Sequence, residues 1–172
     1  QTQQKADGST LDPRVGRQYE VGAKGDFLDS RLGATLAFFN IRDKNRAYAD
    51  PAYPSSSYYL NAGEIESQGV ELEVQGKVNS RFDVTAGYTY MTTKYLSDPS
   101  NQGKTYSIQT PRNQFKLWSN YTFADTGWLK GYSLGGGLIA QSRAQSSRGW
   151  SDEVVNSGYV VANARIGYQF NK

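Results

Sequence analysis

Cysteine and histidine are both absent from the 172 residues. Without them no disulfide, thiolate metal site, zinc centre or Ser-His-Asp triad can be assembled. Leu, Ile, Val and Phe are sparse, and a mean hydropathy of -0.68 does not describe a chain with a conventional buried core. No run approaches the ~18 apolar residues of a membrane-spanning helix, which excludes a helical membrane protein. The same test carries no weight against a transmembrane β-barrel, whose ~10-residue strands bury only alternate side chains in lipid. Charge is also unconcentrated. The net charge is +3, but Lys and Arg are scattered singly, so no nucleic-acid partner is expected. The opening residues, QTQQKADGSTLDP, have no apolar centre and do not form a signal peptide, so an export signal is expected outside this sequence.

What the chain has instead is Tyr, Ala, Gly and Thr, with 18 Gly and 13 Tyr. Low hydrophobicity can accompany disorder, but disordered chains lack the regular alternation found here. From Gly69 to Tyr95, Val70, Leu72, Val74 and Val78 alternate with Glu71, Glu73, Gln75 and Lys77. After a polar break, Phe82, Val84, Ala86, Tyr88 and Tyr90 alternate with Asp83, Thr85, Gly87 and Thr89. In Thr110 to Phe123 the apolar set is Phe115, Leu117, Tyr121 and Phe123, against Gln114, Lys116, Asn120 and Thr122. This is the two-residue period of a strand with one face suited to oil and one to water.

In chain order, residues 1–16 read as a loop, with Gly8 and Pro13 and no period. A first strand runs from Arg17 to Phe27, turns at Leu28-Asp29-Ser30 and returns from Arg31 to Ile41. Residues 42–57, with Pro51, Pro54 and three serines, read as a loop. The third strand covers Tyr58 to Val78. Ile65 and Val70 have opposite parity in it, so a bulge is expected near Gly69. Asn79-Ser80 turns into a fourth strand, Arg81 to about Leu96. A fifth spans about Ile108 to Phe123, a sixth Gly131 to about Arg143, and a seventh Gly158 to Phe170, with Ala144 to Asn156 as a polar loop between the last two.

These seven strands alternate strictly between short connections (28–30, 79–80, 124–130) and long ones (42–57, 97–107, 144–157). Bacterial outer-membrane barrels have short periplasmic turns and long extracellular loops. Aromatics collect where an apolar band meets water: Phe27, Phe82, Phe123, Tyr132, Tyr168 and Phe170 beside the short turns, Tyr88 and Tyr90 toward the long loops. The fold class is therefore all-β, an antiparallel transmembrane barrel wall. A soluble sandwich would carry more Leu, Ile and Val in its core.

Six segments, RQYEVGAKGDF, GEIESQGVELEVQGKV, AGYTYMTTKY, TPRNQFKLWSNYTF, GYSLGGGLIAQS and GYVVANARIGYQF, follow one another over nearly the whole of residues 14–170. Their order and spacing resemble the late barrel of the TonB-dependent ferric-siderophore receptors of the Gram-negative outer membrane. The resemblance implies a 22-stranded barrel filled by a plug domain, with these strands as the fourteenth to the twentieth and residues 1–16 as an extracellular loop. The plug, the TonB box, the earlier strands and the final two lie outside the sequence. It also implies import of a ferric siderophore energised by TonB. The partners would be that ligand, the plug and remaining strands, the TonB complex, and outer-membrane lipid with lipopolysaccharide. No cofactor would be bound directly, since iron arrives already chelated. Seven antiparallel strands cannot close on themselves, and open edges in hydrocarbon leave backbone groups unsatisfied. The chain is thus expected to be part of a larger barrel, the alternative being a small barrel of about eight strands.

Paired carboxylates, Glu64 with Glu66 and Glu71 with Glu73, have the spacing of an acid/base pair. Nothing supplies a nucleophile or a raised pKa, so they read as a polar wall and no enzyme activity is expected. The Gly135-Gly136-Gly137 run is not followed by GK[ST] and reads as a place for bending or close backbone approach. A receptor for chelated iron needs aromatic surface and hydrogen-bond donors near the rim. On strand parity Tyr95, Gln141, Arg143 and Tyr159 face inward there, joined by Tyr58 or Tyr59 according to the bulge. Tyr48, Tyr53, Tyr106, Arg148 and Trp150 fall in the loops. The ligand-binding candidates are Tyr48, Tyr58, Tyr59, Tyr95, Gln141, Arg143, Trp150 and Tyr159. Two other functions fit the pattern: a passive or structural outer-membrane barrel, and a soluble β-rich carbohydrate-binding module.

Overall fold

A computed structural model describes residues 3–55, 57–148 and 153–170. Among these residues are nine strands: β1 (Val15–Phe27), β2 (Leu32–Ala49), β3 (Tyr59–Asn79), β4 (Phe82–Ser97), β5 (Asn113–Thr122), β6 (Tyr132–Gln141), β7 (Ala144–Arg148), β8 (Glu153–Asn156) and β9 (Tyr159–Tyr168). Among the described residues there is no helix. Seven strands form one sheet in the order β1-β2-β3-β4-β5-β6-β9, and β7 with β8 forms a separate hairpin. By packing, the chain divides into a first unit (Gln1–Glu20, Phe39–Gly69, Thr92–Ile108) and a second (Val21–Phe38, Val70–Met91, Gln109–Lys172).

In the second unit, antiparallel pairing turns the alternation of single strands into continuous rows. Tyr88, Phe115, Ala140 and Val160 stand side by side, then Ala86, Leu117, Leu138 and Ala162, then Phe82, Tyr121, Leu134 and Ile166. The opposite face carries Thr85, Trp118, Gly137 and Asn163 in one row and Thr89, Gln114, Gln141 and Tyr159 in another. Beside the short turns the apolar face ends in touching aromatic rings. Tyr121 meets Phe123 edge-on at 5.2 Å, Tyr132 lies 4.7 Å from Tyr168, and Tyr168 lies 4.8 Å from Phe170. Such a belt suits a membrane interface. No large side chain is fully buried among the described residues, and Val160, Ile166 and Phe170 are each about two-thirds or more exposed. This apolar face needs a cover that the sheet itself does not supply.

The β1–β2 turn uses three consecutive left-handed residues, Leu28, Asp29 and Ser30, closed by the Arg31 amide donating to the Leu28 carbonyl at 3.3 Å. Left-handed backbone is costly for residues with a Cβ, which suits a short, tightly constrained turn rather than a longer loop. At the β3–β4 turn, Asn79 Oδ1 accepts the Arg81 amide at 2.9 Å.

Four features differ from the sequence reading. The second strand does not stop at Ile41 but continues to Ala49, because Arg42 and Lys44 find cross-strand partners in Glu66 (3.0 Å) and Glu64 (3.6 Å). Paired charges sustain a hydrated strand as well as apolar alternation does. The bulge expected near Gly69 is absent. At one end of β3 the Lys77 amide donates to Arg31, and at the other Asn40 reaches Gln68, Arg42 reaches Glu66 and Lys44 reaches Glu64, all in one register. Ile65 differs in parity from Val70 because it belongs to the other face, where it is buried. The register shift falls instead at Asn45 of β2, whose φ is 58°, after which Arg46 lies against Gly63. The fifth strand begins only after Pro111, which has no amide to donate to a ladder. Finally, within the expected loop Ala144–Arg148 and Glu153–Asn156 pair as antiparallel strands. Strands this short, AQSSR and EVVN, carry no sustained two-residue alternation.

Candidate ligand-binding site

The first unit holds two of the long connections, and side-chain and backbone bonds fold each of them back on itself. In 98–107, Asp98 Oδ1 accepts the amides of Ser100 (3.0 Å) and Asn101 (2.8 Å), while Tyr95 and Gly103–Lys104 exchange backbone bonds at 2.9–3.0 Å. That fold-back brings Tyr106 onto Tyr95, edge to face at 5.2 Å. In 50–58, buried Asp50 accepts the Ala52 amide through its side chain and the Tyr53 amide through its carbonyl, and Tyr53 meets Tyr58 edge-on at 5.4 Å. The segment before β1 is tied down as well, since Asn61 bonds both the amide and the carbonyl of Asp12, and Gln4 bridges to Tyr58.

A buried carboxylate in this unit, Asp43, gathers two arginines. It alternates with Arg42 and Lys44, so it takes the face opposite their ion pairs. Arg14 Nε donates to both its oxygens at 2.6 Å, the Arg14 Nη2 adds a short contact, and Arg46 Nη1 donates at 3.3 Å. The Arg14 hydrogen bonds hold the Asp43 carboxyl below the usual carboxylate range, against the opposing effect of its burial. Arg46 also lies over the Tyr106 ring, its guanidinium carbon 4.9 Å from the centroid. Two guanidiniums thus share one carboxylate and leave a surplus positive charge. Arg14, at 61% side-chain exposure, presents that charge to solvent. Beside the pair is a cavity of about 360 Å³ lined by Leu11, Asp12, Arg14, Asn45 and Arg46 among others. The arrangement sets charge-assisted donors beside the Tyr95–Tyr106 pair, which suits an anionic, partly aromatic ligand.

In the second unit the polar face carries a groove of about 460 Å³ lined by Glu73, Gln75, Thr85, Lys116, Trp118 and Asn163 among others. The Gly135-Gly137 run lies beneath the Trp118 indole. A Cβ at Gly137 would be 2.5 Å from Trp118 Cε3, and one at Gly135 2.9 Å from its Cζ2. The glycines therefore admit a ring as well as a close backbone.

The candidates from the sequence divide between these units. Tyr95 joins the Asp43 cluster through Tyr106. Tyr58 packs with Tyr53. Tyr59 begins β3 with the parity of Asn61 and Ile65, and its amide donates to Gln4. Tyr48 is half-buried near the end of β2, not in a loop. Gln141 and Tyr159 are direct cross-strand partners in the second unit, whereas Arg143 is exposed just beyond β6. Trp150 lies outside the described residues. Arg14, Asp43 and Arg46 were missed. Arg46 fell in an expected loop, and a contact across 29 residues between Arg14 and Asp43 leaves no local pattern. The paired acids also separate. Glu64 and Glu66 are held by Lys44 and Arg42 on one face of β3, while Glu71 and Glu73 lie on the other, by a hollow shared with Gln114 and Lys116.

Comparison with known proteins gives the same architecture a lineage. Residues 1–172 match the family model described as TonB dependent receptor-like, beta-barrel. The chain is 39% identical over 168 residues to the ferric-pyoverdine M114 receptor PbuA of Pseudomonas sp. (strain M114), an alignment covering 96% of this chain and 20% of that protein. It is 36% identical over 162 residues to the ferrichrome outer membrane transporter/phage receptor of Escherichia coli K12, covering 94% and 21%. The solved pyoverdine outer membrane receptor FpvA of Pseudomonas aeruginosa PAO1, bound to pyoverdine, superimposes with a TM-score of 0.84 at 28% identity, covering 98% of this chain and 25% of that one. The chain spans about a fifth of the length of the curated relatives it matches. With its unclosed sheet, uncovered apolar face and interfacial aromatic belt, the chain belongs to the TonB-dependent receptor-like β-barrel family and is a stretch of Gram-negative outer-membrane barrel wall.

Proposed function

We propose that the chain supplies barrel strands and ligand-capturing loops to an outer-membrane receptor that imports a ferric siderophore with energy delivered through TonB. The remaining strands and a plug domain come from the rest of the receptor, and iron arrives already chelated. Residues 3–14, 50–58 and 98–107 are then on the extracellular side. The observation that carries this reading is the cluster of Arg14, Asp43, Arg46, Tyr106 and Tyr95. Chelated iron asks nothing of protein carboxylates, whereas the periphery of an anionic chelate is recognised by guanidiniums and aromatic rings.

The full receptor is tested with a panel of ferric siderophores, following binding by intrinsic fluorescence and uptake with radioactive iron. Replacing Arg46 with Ala removes one charged donor and one ring contact. A charged hydrogen bond is worth about 1.5–3 kcal/mol, so affinity for the cognate chelate falls roughly 10- to 100-fold. Unchanged affinity in both Arg46→Ala and Tyr106→Ala receptors would remove the cluster from the ligand path. Iron-chelate flux that persists without TonB would favour a passive barrel.

A further inference from the structure

Arg46 stands on a face that its place in β2 does not predict. Asn40, Arg42 and Lys44 are even-numbered and share one face, and Asp43 takes the other. Arg46 is also even-numbered, yet its Nη1 donates to Asp43 at 3.3 Å. As far as Lys44 the ladder with β3 is regular, with Asn40 on Gln68 (3.4 Å), Arg42 on Glu66 (3.0 Å) and Lys44 on Glu64 (3.6 Å). Continued in that register, Arg46 would oppose Ala62. It lies against Gly63 instead, so β2 holds one residue more than β3 over this stretch. The extra residue is Asn45, left-handed at a φ of 58°. One additional residue turns every following side chain to the opposite face. Arg46 thereby joins Asp43, and its guanidinium carbon comes to lie 4.9 Å from the centroid of the Tyr106 ring.

Two residue types permit this turn. Asn is among the few residues with a Cβ that enter left-handed backbone readily, whereas a β-branched residue there is strongly disfavoured. Gly63 supplies the room, since a Cβ on it would be 2.7 Å from the Arg46 Cβ and 3.2 Å from the Arg46 carbonyl oxygen. Asn45 also holds the segment that carries Arg14. Its Nδ2 donates to the Pro13 carbonyl at 3.0 Å, and its own carbonyl accepts Asn61 Nδ2 at 3.1 Å, while Asn61 grips Asp12 by two further bonds. We infer that Asn45 and Gly63 are positioning residues for ligand capture. The bulge turns Arg46 inward, and the Asn45 side chain pins the segment presenting Arg14, so both guanidiniums reach Asp43 with one positive charge left over for an anionic chelate. Neither residue needs to touch the ligand. This role rests on the reading of the Asp43 cluster as the ligand site.

The test uses the full receptor and the tightest-binding anionic ferric siderophore of the panel above. Asn45→Val weakens binding about 10- to 100-fold, as Arg46→Ala does, and the double variant is no weaker than Asn45→Val alone because Asn45 acts through Arg46. Asn45→Gly, which keeps the left-handed backbone and loses only the bond to Pro13, stays within about three-fold of the wild type. Gly63→Ala, one methyl larger, displaces Arg46 and weakens binding about ten-fold, and it carries the test if Asn45→Val does not fold. A second readout needs no ligand. An Arg46→Cys/Gly63→Cys pair treated with diamide closes a disulfide in the otherwise unaltered receptor and with Asn45→Gly, but not with Asn45→Val, which leaves the two side chains on opposite faces. Wild-type affinity in Asn45→Val and Gly63→Ala, losses that multiply in the double variant, or a disulfide that closes equally with Asn45→Val overturns the positioning role. If Arg46→Ala leaves affinity unchanged while the disulfide depends on Asn45 as expected, the ligand reading of the Asp43 cluster fails, and the functional role of the bulge fails with it.

Discussion

Placing an arginine at Ala162 tests which face of the sheet meets hydrocarbon. Ala162 shares a row with Ala86, Leu117 and Leu138, and Leu117 is the fifth residue of the ten-residue β5. Ten strand residues at ~3.4 Å each, tilted by ~40°, rise about 26 Å, which matches an apolar band of about 25 Å and sets this row near its midplane. Arginine at the midplane on the lipid face of a barrel costs about 2–4 kcal/mol, a factor of roughly 30 to 700 in the folding equilibrium. Alanine contributes little burial of its own, so that figure applies without a large correction. The next residue, Asn163, is exposed on the opposite face across from Gly137, and Asn163→Arg is expected to cost less than about 0.5 kcal/mol. Ala140→Arg, one row nearer to Tyr88, falls between the two because the penalty declines toward the headgroups. The measurement is reversible denaturant unfolding of the full receptor in lipid vesicles. Equal costs at 162 and 163, a larger cost at 163, or a penalty at 140 equal to that at 162 would refute the assignment of faces.

Two further outcomes follow from particular contacts. Gly137→Val sets a branched side chain where a Cβ alone would be 2.5 Å from the Trp118 ring and 2.6 Å from the Leu117 carbonyl; overpacking of this kind costs about 1–3 kcal/mol, whereas Gly136→Val, on the open face of the same strand, costs less, and denaturant midpoints compare them. Asp43 lies five residues beyond Phe38, outside the hydrocarbon stretch of β2, and its folded pKa is depressed by Arg14. The stability it contributes is present above its unfolded pKa of about 3.9 and is lost as pH falls through the lower folded value. Asp43→Asn should remove that acid-side dependence and lower stability by roughly 1–3 kcal/mol at neutral pH, with unfolding followed between pH 2 and 7 as the check.

What could be read without coordinates follows from how locally each feature is encoded. Two-residue alternation belongs to each strand separately, so the strands and their lipid-suited faces were legible wherever an apolar row was present, as from Val70 to Tyr90. Where the apolar row is missing or too short to repeat, the same backbone gives no such signal. The second half of β2 and the β7–β8 hairpin were therefore read as loops. The supposed bulge at Gly69 arose from treating Ile65 as part of the lipid row, when its burial is on the other face. That Gln141 and Tyr159 share one face beside a long connection was legible from parity alone. Arg14, Asp43 and Arg46 were not, because their meeting depends on strand pairing and on the register shift at Asn45.

By itself the amino-acid order determined the all-β class, the seven-strand wall and which side chains suit oil, since each of these is a property of residues a few positions apart. The expected contrast of short and long connections is weaker than the sequence reading had it, because β2 runs on to Ala49 and leaves 50–58 no longer than 123–131. Tertiary structure decided which charges find one another: Arg42 with Glu66, Lys44 with Glu64, and both guanidiniums with Asp43. It also placed Trp118 over the glycine run. A strand carries its own period wherever it lies, but a salt bridge or a seated ring exists only once register has brought two distant stretches within a few ångströms.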